Sequence, residues 1–166
     1  MDIDLRPVTN LVGGLSPDER REVSDLFTRC FGPPESRTPH PLVISPDEDT
    51  RYIVRVWEDR LLVSGLWITE RTILADGQPT RIAAIRGVRT DPAYRRRGLA
   101  SAAMRAAADF IWGELRPDLA MLLSSEMAVP FYQSLGWQII AGPVYFDQPT
   151  GRDLPRGAVD LCGLPF

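Results

Sequence analysis

One stretch near the middle of the chain constrains the fold more than any other, because it combines two strand patterns with a helix. Residues 81–89 form a β-rich run, and residues 98–115 place apolar side chains along one helical face. Residues 119–124 are a short, continuous apolar run, which is typical of a buried central strand. A strand, a helix and a buried strand in this order predict a βαβ unit whose two strands are parallel neighbours.

The first fifty residues predict one strand, one helix and one long loop. Residues 1–9 alternate apolar and polar side chains, as short strands do. Ser16, Pro17 and Glu19 together form a capping-box pattern that predicts a helix start, and Gly32 predicts its end. Residues 33–50 are rich in proline and acidic residues, and loops of this length commonly form part of a substrate site.

The rest of the chain is dominated by strand patterns. The remaining predicted elements are strands at 52–57, 61–74, 137–148 and 157–162, turns at 75–78 and 149–151, and a short helix at 127–135. With the βαβ unit, this order predicts an α+β fold with a central, mixed but mostly antiparallel sheet flanked by helices. No repeat or linker divides the sequence, so we expect a single domain over residues 1–166.

Composition excludes several classes of function. The net charge is −3 at pH 7, which gives no reason to expect a nucleic-acid partner. All 19 basic residues are arginine, so no lysine is available for catalysis. Cys30 and Cys162 are too few for a disulfide framework or a zinc site, and the lone His40 lies in a proline-rich stretch. We expect a cytoplasmic protein with no metal site, no membrane span and no signal segment.

The turn between the first βαβ strand and its helix is suited to bind a phosphate group. The N–H groups that follow Tyr94 and those of the first helical turn point toward one spot beside the positive end of the helix dipole. Gly98 allows close approach to the backbone, and Arg95, Arg96 and Arg97 add positive charge. An arginine run alone is also typical of a solvated patch, but its position between a strand and a helix favours phosphate binding.

Arg95-x-x-Gly98-x-Ala100 resembles the coenzyme A signature of the GNAT acetyltransferase superfamily, and the predicted element order is similar to the GNAT fold. The resemblance implies that acetyl-CoA is the acyl donor. It also implies that the strand of residues 85–90 splays from its neighbour and pairs with the pantetheine arm, with the Val88 N–H as candidate oxyanion donor. The cofactor-binding residues implied in this way are Val88, Thr90, Arg95, Arg96, Arg97, Gly98, Leu99, Ala100 and Ser101.

A second segment, from Phe131 to Trp137, resembles the GNAT pattern Phe-Tyr-x-x-x-Gly-aromatic. In that family the tyrosine often protonates the departing thiolate, so Tyr132 is the candidate catalytic acid, alongside Val88 as the catalytic backbone donor. The alternative is that Tyr132 packs beneath the cofactor with its hydroxyl satisfied. The general base stays open among Glu126, Asp91, Glu70, the acids at 47–49 and the carboxylate of Phe166.

Within the superfamily the sequence is most similar to the aminoglycoside 2'-N-acetyltransferases. The shared positions are Leu123-Ser-Ser125, Phe131-Tyr132, Gly136-Trp137, Gly142-Pro143 and Pro149-Thr-Gly151. This resemblance implies an amino-sugar acceptor and antibiotic resistance by modification. The candidate substrate-binding residues are Arg86, Ser125 and Glu126.

Arg86 departs from that branch, whose enzymes carry a glutamate at this position. An arginine would repel a polycationic aminoglycoside, whereas its planar fork suits a carboxylate. We therefore expect a kasugamycin-like amino sugar that bears an anionic group. The alternative is that Arg86 pairs with an internal acid such as Glu70.

Other functions remain open at this level. One is acetylation of a protein or peptide, which needs an open groove; another is a non-catalytic acyl-CoA-binding sensor domain. Transfer of a longer acyl chain would use the space left by Ala83, Ala84 and Gly87. No cysteine is well placed for a covalent acyl intermediate, so we expect direct transfer to a small-molecule amine. The resemblance also implies a homodimer and no nucleic-acid or membrane partner.

Overall fold

A computed structural model describes residues 1–7, 14–33, 50–140 and 158–163. The strands and helices follow one another in the predicted order, which confirms the α+β fold class. The strands are β1 Asp2–Pro7, β2 Thr50–Glu58, β3 Leu61–Ala75, β4 Gln78–Thr90, β5 Leu119–Ser125, β6 Gln138–Ile139 and β7 Ala158–Gly163. The α-helices are α1 Pro17–Phe31, α2 Leu99–Phe110 and α3 Val129–Gln133.

The described strands form one sheet in the order β1-β2-β3-β4-β5-β7-β6. β4 and β5 pair in parallel, and α2 connects them, so the predicted βαβ unit is confirmed. The other pairs of described strands are antiparallel. None of the helices in the described ranges is long and apolar enough to cross a membrane.

The start of α1 follows from its capping residues. The Ser16 hydroxyl accepts from the Glu19 N–H, and the Glu19 carboxylate accepts from the Ser16 N–H at 2.8 Å. Pro17 occupies the first turn, where a missing N–H leaves no hydrogen bond unmade. Gly32 ends the helix with φ of 78°, and its N–H donates to the Thr28 carbonyl. The predicted boundaries of α1 are therefore confirmed.

The two faces of the sheet carry separate clusters of buried side chains. On one face, Leu26 of α1 packs with Ile53 and Trp67. On the other, α2 and the α3 segment cover the central strands; this cluster includes Leu66, Ile85, Ala103, Met104, Leu122, Tyr132 and Trp137. We call the first the α1 face and the second the α2 face. The alternation along β4 places Ile85 on the α2 face and Arg86 on the α1 face.

Several boundaries differ from the sequence predictions by one to a few residues. β4 begins at Gln78 rather than residue 81, because the hairpin turn is confined to Asp76 and Gly77 and the strands pair up to it. Residues 111–115 continue α2 as a π-helical turn. The helix predicted from residue 127 begins at Val129, because Pro130 has no N–H and is tolerated only in the first turn; residues 126–128 form a 3-10 turn.

Several predictions lie partly or wholly outside the described residues. They include most of the 33–50 loop, the 149–151 turn, the acids at 47–49 and the Phe166 carboxylate. The strand predicted at 137–148 is described only for Gln138–Ile139.

Candidate active site

The central feature of the site is an opening between the two parallel strands. β4 and β5 pair from Ile82–Leu119 to Ile85–Leu122 and no further. Beyond that point β4 continues to Thr90 beside β3, while β5 continues to Ser125 beside β7. Residues 86–90 of β4 therefore present one backbone edge that β5 does not pair; we call this space the β4–β5 opening.

A β-bulge lies at the start of the opening. Trp67 pairs with Arg86 and Gly65 pairs with Arg89, so Gly87 and Val88 together face the single residue Leu66. Gly87 has φ of 59°, a left-handed conformation that residues with a Cβ rarely adopt. A Cβ at Gly87 would also lie 2.9 Å from Cδ1 of Trp67. The bulge thus requires a glycine, and it reorients the peptide that joins Gly87 to Val88.

The turn after β4 is held firmly in place. Asp91 is 5% exposed, and its two carboxylate oxygens accept from the Ala93 N–H at 2.9 Å and from Nε of Arg29 at 2.5 Å. Nη2 of Arg29 also donates to the Leu62 carbonyl at 2.7 Å. The Asp91 N–H donates to the Val63 carbonyl. Arg29 therefore ties α1 to the point where β4 passes into the turn.

Six consecutive N–H groups, those of residues 96–101, lie where the turn enters α2. Within the described ranges, none of them donates to a backbone carbonyl or a side chain. Arg96 and Gly98 are in the left-handed conformation, with φ of 61° and 78°. Left-handed residues next to right-handed ones can turn successive N–H groups toward a concavity that binds anions. A Cβ at Gly98 would meet no atom within 4 Å, so space for a ligand is open there. The arrangement fits a pyrophosphate.

The three arginines of this turn differ in their contacts. Arg97 forms an ion pair with Glu58 at 2.7 Å, and its guanidinium lies 5.2 Å from the Tyr94 ring. Nε of Arg95 donates to the Thr90 carbonyl. Arg96 is exposed. The positive charge expected from the three arginines is therefore uneven, because Arg97 is partly neutralised by a carboxylate of β2.

The side chains of the other residues that the resemblance implies are buried, half-buried or bonded within the sheet. Leu99 is buried in the α2-face cluster, and Ala100 and Ser101 are half-buried in the first turn of α2. Val88 is half-buried and packs against the same cluster. The Thr90 hydroxyl lies 2.8 Å from that of Ser64, within the sheet.

Tyr132 lies in α3 on the α2 face and is 8% exposed. Burial raises the pKa of its phenol, so the hydroxyl stays protonated at neutral pH and is available as a donor. Phe131 contacts its ring edge-on, and Trp137 is buried in the same cluster.

The candidate bases are spread over the molecule. Glu126 is exposed and directly follows β5, at the end of the β4–β5 opening. Glu70 lies opposite Ala83, in the part of the sheet where β4 and β5 are still paired. Its carboxylate accepts from the Tyr52 hydroxyl at 3.2 Å. Asp91, which directly follows β4, has both oxygens engaged, whereas Glu126 at the end of β5 is exposed.

The candidate substrate-binding residues lie at the two sides of the opening. Arg86 is the first β4 residue beyond the paired segment, on the α1 face. Ser125 is the last residue of β5 and is exposed; its hydroxyl does not cap the following turn. The Ser124 hydroxyl donates to the Ser125 carbonyl at 3.1 Å. The described residues hold no cluster of three or more potential metal ligands.

Sequence reasoning missed Arg89, a buried arginine beside the bulge. Its side chain lies on the α1 face, with the guanidinium carbon 4.7 Å from the Trp67 ring and 5.8 Å from the Phe27 ring. Nη1 donates to the Gly87 carbonyl at 2.7 Å. The residue is 4% exposed, and burial lowers its pKa to about 10, so it remains charged at neutral pH. The adjacent three-arginine run gave the stronger sequence signal.

Comparisons with known proteins agree with this geometry. A family model described as the acetyltransferase (GNAT) domain matches residues 13–140. No protein of curated function matches the sequence. Among solved structures, Escherichia coli ElaA has a TM-score of 0.70 at 14% identity, covering 98% of this chain and 100% of that one.

Two further structures share the fold. An acyl-CoA N-acyltransferase from Pseudomonas aeruginosa has a TM-score of 0.66 at 20% identity, covering 98% of this chain and 99% of that one. The Escherichia coli ribosomal-protein-S18-alanine N-acetyltransferase has a TM-score of 0.58 at 14% identity, covering 98% and 93%. At these identities the similarity shows a shared fold and does not identify the acceptor of the acyl group.

Proposed function

The chain belongs to the GNAT family and is an N-acetyltransferase, and we propose that it moves an acetyl group from acetyl-CoA to an amine of a small molecule. One observation carries this proposal: the unpaired edge of β4 leads directly into six N–H groups without acceptors among the described residues. A strand edge suits the amide-rich pantetheine arm, and the N–H groups suit the pyrophosphate. A single domain over residues 1–166, a cytoplasmic location and a homodimer are part of the proposal.

In the proposed reaction the acceptor nitrogen attacks the thioester carbon directly. A C–N bond forms, the C–S bond breaks, and the thiolate leaves with a proton from the Tyr132 hydroxyl. The Val88 N–H stabilises the negative charge that develops on the carbonyl oxygen. Glu126 takes the proton lost by the amine, directly or through water. Its exposed position at the end of β5 supports this role.

For the acceptor, we propose an aminoglycoside-type amino sugar that bears an anionic group, of which kasugamycin is an example. Arg86 supports this class, because it is the first β4 residue beyond the paired segment and lies on the face away from α2. A guanidinium there can bind a carboxylate in a bidentate geometry. Ser125 and Glu126 would contact the sugar from the β5 side. Antibiotic resistance by modification would be the consequence.

The test is thiol release from acetyl-CoA against a panel of amines, with product masses measured. The panel contains kasugamycin, gentamicin-type aminoglycosides, simple amino sugars, polyamines and N-terminal peptides. The expected result is turnover of kasugamycin that Arg86→Glu reduces strongly and Arg86→Lys reduces less, because lysine keeps the positive charge but loses the bidentate fork. Turnover of gentamicin alone would contradict the role of Arg86, and turnover of peptides alone would replace the small-molecule acceptor by a protein.

A further inference from the structure

Arg89 carries a positive charge although its side chain is buried. Taking a guanidinium out of water costs several kcal/mol unless an anion or a full set of hydrogen bonds offsets it. Within the described ranges no carboxylate forms an ion pair with Arg89, and its Nε is buried without a hydrogen-bond partner. Within the described residues, its polar contact is the carbonyl of Gly87. Trp67 and Phe27 hold the guanidinium in this place.

The Gly87 carbonyl and the Val88 N–H belong to the same peptide group. The structure contains no cis peptide bond among the described residues, so the C=O and N–H of this peptide point in opposite directions. The C=O points to the guanidinium at 2.7 Å. The N–H therefore points away from the guanidinium, and the left-handed φ of Gly87 permits this rotation of the peptide.

We propose that Arg89 is a positioning residue for acetyl transfer: its guanidinium fixes and polarises the Gly87–Val88 peptide, which strengthens the Val88 N–H as a donor to the thioester oxygen. This inference rests on the proposed function, because it takes Val88 as the oxyanion donor. Hydrogen bonds in a chain polarise one another, and the effect is larger where water is excluded. No bond to Arg89 forms or breaks during the reaction.

Among the described residues Arg89 has no carboxylate partner, and this favours a positioning role over a purely structural one. Arg55, a second buried arginine of the sheet, is neutralised by Asp4 and Glu19. A cation paired in that way has a field that falls off quickly, because the carboxylate cancels it. The charge of Arg89 is not cancelled by any described acid in contact with it, so its field acts along the Gly87–Val88 peptide.

The test compares three variants by kinetics and by infrared spectroscopy. Arg89→Met keeps a chain that can pack between Trp67 and Phe27 but removes the charge, and Arg89→Lys keeps a cation. Arg55→Met is the matched control, a buried arginine that also stacks on an indole, with Trp57 at 5.4 Å. The probe is acetyl-CoA labelled with carbon-13 at the acetyl carbonyl, and the carbonyl stretch of the bound molecule is recorded for each protein.

We expect kcat to fall about 10- to 100-fold in Arg89→Met, less than for loss of a whole oxyanion donor, with the KM for acetyl-CoA little changed. Arg89→Lys should recover part of this loss. Arg55→Met should lower the melting temperature while folded molecules keep their kcat. In the wild type the bound carbonyl stretch should lie below its value in water, and Arg89→Met should return it toward that value.

Two results would separate the failure of this inference from that of the proposed function. If the wild type binds acetyl-CoA with a lowered stretch that Arg89→Met leaves unchanged, the inference about Arg89 is wrong and the proposed function stands. If the wild type binds no acetyl-CoA, the proposed function itself is wrong.

Discussion

At the scale of single residues, the site depends on backbone conformations that only particular side chains permit. Gly87 and Gly98 both have positive φ, but their surroundings differ. A side chain at Gly87 would collide with Trp67, whereas one at Gly98 would enter open space. Gly87 therefore shapes the bulge, and Gly98 keeps free the volume in front of the helix N-terminus.

Gly87→Ala should abolish most acetyl transfer. The left-handed conformation costs an L-residue about 1–2 kcal/mol, and the collision with Trp67 adds to this, so the peptide should rotate out of position. We expect kcat to fall at least ~100-fold, as when an oxyanion donor is lost. Gly77→Ala is the control, because Gly77 has φ of 75° and no atom within 4 Å of a Cβ, far from the opening. Equal activity of the two variants would refute the role of the bulge.

Tyr132→Phe removes the proposed proton donor while keeping the ring in the core. Because general acid catalysis contributes about 10²- to 10⁴-fold, we expect a loss of kcat in that range. Acetyl-CoA affinity, measured by calorimetry, should stay within about threefold of the wild type, since no new charge or cavity is introduced. A variant with unchanged kcat would show that Tyr132 is only a packed core residue.

At the scale of elements, helix α1 is coupled to the sheet through charges at both of its ends. Near its start, Glu19 accepts hydrogen bonds from Arg6 and from Arg55, at 3.0 Å for the latter. Near its end, Arg29 binds Asp91 at the start of the turn between β4 and α2. A displacement of α1 would therefore reach the turn proposed to bind the cofactor directly.

Glu19 should make stability depend on pH. Its hydrogen bond from Arg6, then that from the Ser16 N–H and that from Arg55, lowers its pKa from the ordinary 4.5 to about 2 against the opposing effect of burial. A lowered pKa means that the stabilisation is fully present above pH 4.5 and is lost as pH falls toward 2. Glu19→Gln should cost about 2 kcal/mol of unfolding free energy at pH 7, a typical value for hydrogen bonds to a charged group.

Urea unfolding of wild type and Glu19→Gln at several pH values measures this effect. The difference between the two proteins should shrink as the pH falls below 4.5. Asp18→Asn is the control, because the Asp18–Arg21 pair is exposed and such pairs contribute about 0–1 kcal/mol. A difference that stays constant from pH 7 to pH 3 would contradict the assignment.

At the scale of the whole molecule, local sequence signals predicted the architecture well. The capping box at Ser16 and the apolar run after α2 depend on neighbours in sequence, so the pattern was sufficient. The order strand, helix, strand predicted that β4 and β5 pair in parallel, and they do. The strand ends were less accurate, because pairing with β3 extends β4 beyond the residues whose own pattern favours a strand.

The parts that could not be predicted depend on contacts distant in sequence. The bulge at Gly87 is a matter of register between β3 and β4, which no single strand encodes. The ion pair of Arg97 with Glu58 and the stacking of Arg89 on Trp67 join separate elements. For this reason the sequence pointed to a run of three arginines, whereas the structure shows that their contacts differ and places the buried Arg89 beside the bulge.

The central claim is that acetyl-CoA binds in the β4–β5 opening and at the turn into α2. Amide hydrogen exchange with and without acetyl-CoA tests this claim most directly. We expect slower exchange on addition of acetyl-CoA at the amides of residues 96–101 and at those amides of residues 86–90 that face the opening rather than β3, because these N–H groups gain acceptors. Residues 71–80, in the distant β3–β4 hairpin, should be unchanged. The account would be contradicted if saturating acetyl-CoA left exchange in the two segments unchanged, or if it slowed exchange in other segments instead.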